Sequence, residues 1–172
     1  MTHRYSRGFS LAEMLTVVAI IGVLSLISVP AFINYQRANY LRSAVRAVAQ
    51  DMRKCRQAAI TRNALVRMQF VSSTQYQLQQ SLDNGTTWTA LRVAGHAEEY
   101  KTLEKNVTFD TPPFSDDEKD EDKYPDIDFK KDGTVDEEGK LVLRTAWADA
   151  PINKAEFTLS TTGQLTTKTS KE

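Results

Sequence analysis

Polar and apolar residues are sorted along this chain into three unlike stretches. Between Phe9 and Ile33 the sequence FSLAEMLTVVAIIGVLSLISVPAFI is apolar all round, with Glu13 its sole ionisable side chain. Such a run is long enough to cross a bilayer as a helix, which takes about 20 residues. From residue 34 the pattern turns amphipathic. Leu41, Val45, Val48, Met52, Cys55 and Ala59 recur at spacings of four and three, which puts them on one face of a helix reaching about residue 62. Ala44, Ala47 and Ala58 add helix formers, and most arginines fall on the other face. A head domain would lie against the apolar stripe. Unbroken from Phe9 to Arg62, the helix would run about 80 Å. Gly22 and Pro30 interrupt it, and because proline lacks the amide donor, a kink or local melting is expected near Leu26 to Pro30.

After Asn63 the period falls to two. Leu65 to Val71, Gln75 to Leu82 and Thr86 to Val93 read as strands, as do Asn106 to Phe109, Ile127 to Lys130, Lys140 to Thr145, Ala155 to Ser160 and Gln164 to Thr167. Asn84-Gly85 predicts a tight hairpin between the second and third, because a primed turn needs positive φ. Asp132-Gly133, Glu138-Gly139 and Thr162-Gly163 mark further turns. A long helix followed by antiparallel strands predicts an α+β fold: a helix with a transmembrane half and an amphipathic half, packed on an antiparallel β-sheet or sandwich head.

Glu13 is the feature that a plain membrane anchor leaves unexplained. A carboxylate in hydrocarbon costs on the order of 2.5–3.5 kcal/mol, so it is normally kept for a function with a partner. Arg4, Arg7 and Gly8 precede the run, and a basic leader favours a cytoplasmic N-terminus. A secretory signal peptide has a shorter apolar region, roughly 7–15 residues, ending at a small-residue cleavage site. A signal anchor accounts for length and arginines but not for Glu13. A buried core helix would need more apolar surface than the rest of the chain offers to wrap it.

Arg-Gly followed by Phe-Ser-Leu-x-Glu and an apolar run resembles the class III signal of type IV pilins and pseudopilins. Farther on, Asp-Ile-Asp-Phe, Asp132-Gly133 and Phe157-Thr158-Leu159-Ser160-x-x-Gly163 are similar to the H-type pseudopilin and FimT/FimU minor pilin group (GspH/FimT/FimU). The resemblance implies a leader at residues 1–8, a transmembrane and filament-core helix at 9–33, an amphipathic helix at 34–62 and a periplasmic head at 63–172. It implies cleavage between Gly8 and Phe9 by a prepilin peptidase, N-methylation of Phe9, and pairing of Glu13 with the Phe9 amine of an adjacent subunit. The implied partners are other minor pilins and the major pilin, or pseudopilins, together with inner-membrane lipid. The expected role is a minor pilin near the pilus tip or its initiation complex, with an H-type pseudopilin of type II secretion as the alternative. Some FimT-like pilins act in DNA uptake, a third possibility.

Charge bears on that third possibility. From Arg37 to Arg67 eight basic residues face one acid, Asp51; from Met68 onward twelve bases face twenty acids, a net of −8. A head of that sign argues against a nucleic-acid partner, which needs cations to neutralise phosphates. The single cysteine, Cys55, cannot form an internal disulfide, so the C-terminal cysteine loop of many type IV pilins has no counterpart here.

Two motifs invite chemistry. Ser81-x-Asp83-x-Gly85-x-x-Trp88 matches the Asp-box pattern of sialidase-like propellers, but one copy reads as a hairpin lock: the carboxylate accepts turn amides, glycine supplies φ and tryptophan covers the turn. The acidic run Asp116 to Asp128 offers hard oxygens, yet lacks the regular ligand spacing and terminal glutamate of an EF-hand and is diluted by lysines. A solvated loop is expected there, with no metal and no cofactor. His3, His96 and Cys55 form no catalytic constellation, so the chain is expected to be a peptidase's substrate and not an enzyme.

Overall fold

In the computed structural model of the protein, the described residues are 10–93, 95–97, 100–110, 126–136 and 138–171. A single α-helix, α1 (Leu11–Arg62), runs 52 residues, about 78 Å at 1.5 Å per residue. Its assignment is unbroken through Gly22 and Pro30, so the melted turn expected near Leu26 to Pro30 is absent. A proline deletes one backbone bond of the ladder, and the turns on either side remain helical. The far end closes where the sequence changes period. Asn63 adopts a left-handed conformation (φ 51°) and its amide reaches back to the last carbonyls of the helix. Asparagine tolerates that conformation better than most residues.

The stripe foreseen on α1 is the spine of the head. Leu41, Val48, Met52, Cys55 and Ala59 are buried to 2% exposure or less, joined by Ala38, Ala44, Val45 and Ala49. Around it fold the short strands β1 (Leu65–Phe70), β2 (Gln75–Ser81), β3 (Thr89–Ala90), β4 (Arg92–Val93), β5 (His96–Ala97), β6 (Lys101–Thr102), β7 (Val107–Phe109), β8 (Ile127–Phe129), β9 (Gly139–Thr145), β10 (Lys154–Leu159) and β11 (Leu165–Ser170).

They form two main antiparallel sheets. In the first the order is β3-β2-β1-β8, with β6 also on β2; in the second it is β11-β10-β9-β7. Register follows the alternation. Met68 pairs with Leu78 and Leu141 with Phe157, so the buried face of each sheet turns towards the helix. Val66, Met68, Phe70, Tyr76, Leu78, Phe129, Leu141, Leu143, Phe157 and Leu159 make one apolar cluster with the α1 stripe. Phe70 and Phe109 meet edge-to-face at 4.9 Å, an arrangement worth about 0.5–1.5 kcal/mol beyond area burial.

Three sequence expectations about the head need correcting. Thr86 to Val93 is not one strand: β3 joins the first sheet, whereas β4 pairs with β5 in a separate ribbon. Asn84-Gly85 is not a two-residue primed turn either. Gln80 pairs with Thr89, leaving residues 81–88 as a longer loop, although Asn84 (φ 58°) and Gly85 (φ 96°) do take positive φ. Side chain-to-backbone bonds inside that loop compete with strand pairing and win. Gly139 opens β9 instead of marking a turn, and β5 and β6 were not foreseen.

Candidate functional site

The first half of α1 is a helix that no described residue of the head covers. Large apolar side chains from Leu11 to Ile33 are exposed all round, Leu26 at 78% and Ile27 at 70%. By length and composition this segment can cross a membrane. Two of its hydroxyls are satisfied internally, as lipid requires: Thr16 donates to the Ala12 carbonyl at 2.9 Å and Ser25 to the Ile21 carbonyl at 2.8 Å. Glu13 stands in the first turn, exposed, where the unpaired amides of a helix N-terminus favour a negative charge by about 0.3–1 kcal/mol. Gly8 and Phe9, the expected cleavage and methylation positions, lie outside the described residues. At Gly22 an added Cβ would meet nothing within 4 Å, so this glycine is not required by packing within the chain.

Within the head the residue that sequence reasoning missed is Asp51. It was counted only as the lone acid among the stem arginines, yet it is 4% exposed, inside the apolar stripe. Its carboxylate accepts from the Tyr76 hydroxyl at 2.8 Å and from the ammonium groups of Lys101 at 2.9 Å and Lys54 at 3.1 Å. One carboxylate thereby ties α1 to β2 and β6 of the first sheet. The available signal was its spacing: Asp51 lies three residues after Val48 and four before Cys55, on the buried side of the helix.

The end of the head farthest from Glu13 is locked by two glycines. Gly133 (φ 80°) and Gly163 (φ 73°) lie in turns that approach each other and the helix. A Cβ on Gly133 would fall 2.6 Å from Ile60 Cδ1, and one on Gly163 would collide with the Gly133 carbonyl oxygen. Arg56 donates to the Thr162 carbonyl at 3.0 Å, fastening the second turn to the helix. Both glycines were foreseen as turn residues; their contact across elements was not.

The Asp-box residues assemble as a lock, beside the same end. Asp83 accepts from the Ser81 hydroxyl (2.7 Å), the Thr87 amide (2.9 Å) and the Thr87 hydroxyl (2.5 Å), while the Gly85 amide donates to Ser81 Oγ (2.8 Å). These bonds, the Thr87 hydroxyl foremost and then Ser81, lower the carboxyl from 3.8 to about 2. Trp88 lies outside this web: its ring stacks under the Arg67 guanidinium at 4.3 Å, and Arg67 also pairs with Asp126 at 2.7 Å. Lys131 donates to Asn84 at 2.7 Å, joining this loop to the Gly133 turn.

The remaining candidates are dispersed. His96 is exposed on β5 and Cys55 is buried in the stripe; His3 lies outside the described residues. Of the acidic run, 116–125 lies outside them as well. Among the described residues no three His, Cys, Asp or Glu side chains come together as a metal cluster.

An apolar helix continuing as the spine of a two-sheet antiparallel head defines a type IV pilin-like subunit. Residues 3–29 match the prokaryotic N-terminal methylation motif, and residues 44–163 match the family described as Type II transport protein GspH. The chain belongs to that family, which comprises minor pilins and pseudopilins, structural subunits of pilin-like assemblies. No curated protein sequence matches. Among solved structures, the fold is similar to the minor pseudopilin EpsH from the Type 2 Secretion System of Vibrio cholerae, at 14% identity and a TM-score of 0.54 over 73% of this chain and 93% of that one. It is also similar to the type IV minor pilin FimU of Pseudomonas aeruginosa, at 13% identity and a TM-score of 0.55 over 78% and 92%.

Proposed function

We propose that this chain is a minor pilin, cleaved after Gly8 by a prepilin peptidase, methylated on Phe9, and built through its N-terminal helix into a type IV pilus near the tip or its initiation complex. The observation that carries the reading is the exposed apolar half of α1 with its single carboxylate: the head leaves it bare, so its partners lie outside the chain. Before assembly that partner is the inner membrane, with the head in the periplasm. After assembly it is the bundle of helices from neighbouring minor and major pilins. Glu13 then neutralises the Phe9 amine of an adjacent subunit, which supplies the partner that a buried carboxylate requires. Similarity to FimU supports the pilus. A second reading, the H-type pseudopilin of a type II secretion system, is supported by the GspH family match and the similarity to EpsH.

Processing is the first test. Gly8→Val places a branched side chain at the scissile bond, where the peptidase signal has glycine. Intact mass of the membrane-extracted protein, with and without a prepilin peptidase, should show loss of residues 1–8 in the parent and retention in the variant. Equal trimming of both, or a cut beyond Ile33, would contradict the proposal. The two filaments are separated by presence of the subunit in sheared pili against loss of a secreted substrate on deletion.

A further inference from the structure

We propose that the base of the head is seated in the lipid headgroups through Trp147, on the loop between β9 and β10, so that the anchored subunit is held in one orientation on the membrane. The inference rests on the membrane-anchored reading above and adds to it the surface that meets lipid. Two sets of described loops lie at opposite ends of the head. Residues 81–88, 130–136 and 160–164 gather at the far end, tied to Arg56 and to one another. The β9–β10 loop lies at the end where the helix leaves the head: the Trp147 ring is 5.7 Å from that of Tyr40 and 5.8 Å from the Arg37 guanidinium.

The height of that loop follows from the apolar run. A span of about 20 residues fills the hydrocarbon. Ending it at Ile33 puts Glu13 at the inner boundary. Sliding the helix outward buries Glu13 and bares Phe32 and Ile33 to water; sliding it inward buries Asn34 and Gln36. Both moves are unfavourable, so Ile33 marks the outer edge. Arg37 then lies about 6 Å beyond that edge along the axis. The headgroup layer is about 5–7 Å deep on each side. Trp147, in contact with Arg37, is at its surface.

The chemistry of the loop agrees. Residues 146–152 read Ala-Trp-Ala-Asp-Ala-Pro-Ile, with Asp149 their one ionisable group, and Ala146, Ala148 and Pro151 are exposed. The far-end turns carry Asp83, Asn84, Lys131 and Asp132 instead. A largely apolar loop whose half-buried indole packs against Tyr40 and Arg37, on a helix that also bears Arg42 and Arg46, suits a boundary that is apolar on one side and anionic on the other.

The test uses the full chain in phosphatidylethanolamine and phosphatidylglycerol vesicles, with bromines high on the acyl chains as quencher. In Trp88→Phe, emission from Trp147 should be lowered by brominated lipid and protected from acrylamide. In Trp147→Phe, emission from Trp88 should be neither. Equal response of the two tryptophans in chains that float with the vesicles would overturn the seat and leave the anchor standing. Chains that fail to float would overturn the anchor and the seat with it. A spin label at Ala148→Cys, with Cys55 buried and unreactive, repeats the measurement without disturbing the Trp88 stack. Oxygen accessibility above that of a polar relaxant is expected there, and the reverse order would refute the seat.

Discussion

Asp51→Ala should be among the most damaging single changes in the head, although it removes only three heavy atoms and leaves the apolar stripe intact. The side chain is 5% exposed, so its charge is balanced by protein and not by water. Three bonds are lost, and they differ in weight. Lys54, at 45% exposure, regains solvent on losing its partner, so that pair contributes about 0–1 kcal/mol. Lys101 is 24% exposed and the Tyr76 side chain is in the core. Breaking a buried pair costs about 3–5 kcal/mol, less here because Lys101 can turn partly to water. Withdrawing the acceptor from a buried hydroxyl costs about 1–3 kcal/mol. These terms overlap and together give about 2–4 kcal/mol. For a fragment spanning 36–172, at about 3–5 °C per kcal/mol, the melting temperature should fall by about 10 °C. Asp51→Asn, which keeps an acceptor for Tyr76, should fall between. Combined with Tyr76→Phe, Asp51→Ala should cost less than the sum of the two. A loss below about 2 °C, or strict additivity, would refute the network as the tie between helix and sheet.

Gly163→Ala meets both a left-handed φ, at about 1–2 kcal/mol, and a backbone carbonyl that must move, at about 1–3 kcal/mol. Denaturant melts should show a loss of about 2–5 kcal/mol, against about 1 kcal/mol for Gly85→Ala, where the nearest atom is Leu65 Cδ1 at 3.7 Å; equal losses would dismiss the turn-to-turn contact. Asp83 is a matter of pH. Its folded value lies below the ordinary 3.8, so its contribution is present above that pH and fades as pH falls towards about 2. Asp132 and Glu156, also lowered by their Thr134 and Lys140 partners, act in the same direction. Asp83→Asn should therefore lose less melting temperature than the parent between pH 4 and pH 2, and parallel curves would count against the lock.

Periodicity carried the helix and most strands, because a face that must be buried repeats at 3.6 or 2 residues whatever its neighbours are. Leu41 to Ala59 was readable for that reason, and so were β1, β2, β9 and β10. What escaped was made by contacts between elements far apart in sequence. Thr86 to Val93 alternates well enough for a strand, but Asp83 holds its beginning in a loop through bonds that the strand pattern does not express. Asp51 was legible as a charge and not as a buried one, since only the approach of Tyr76 and Lys101 makes its burial tolerable. Gly133 and Gly163 were legible as turns, while their mutual contact depends on two hairpins and a helix meeting. The melting expected beside Pro30 does not occur, because one missing backbone bond leaves the neighbouring turns of a long helix intact. The exposed apolar half of α1 was legible as a helix, because a long run of apolar residues is a statement about solvent that needs no tertiary contact.

Glu13 carries the central claim, and its removal tests it most directly. Glu13→Ala removes a charge from the inner edge of the membrane span, so the variant should insert at least as well as the parent and be cleaved at Gly8 as before. In the filament the Phe9 amine of a neighbour would lose its counter-charge, and breaking such a buried pair costs about 3–5 kcal/mol. The measurement is the amount of subunit co-purifying with sheared filaments or partner minor pilins, normalised to its membrane level, for the parent, Glu13→Ala and Glu13→Gln. The account predicts normal membrane levels and a marked deficit of both variants in the assembled fraction. Equal incorporation of all three would contradict it, leaving Glu13 as part of the processing signal with no role in assembly.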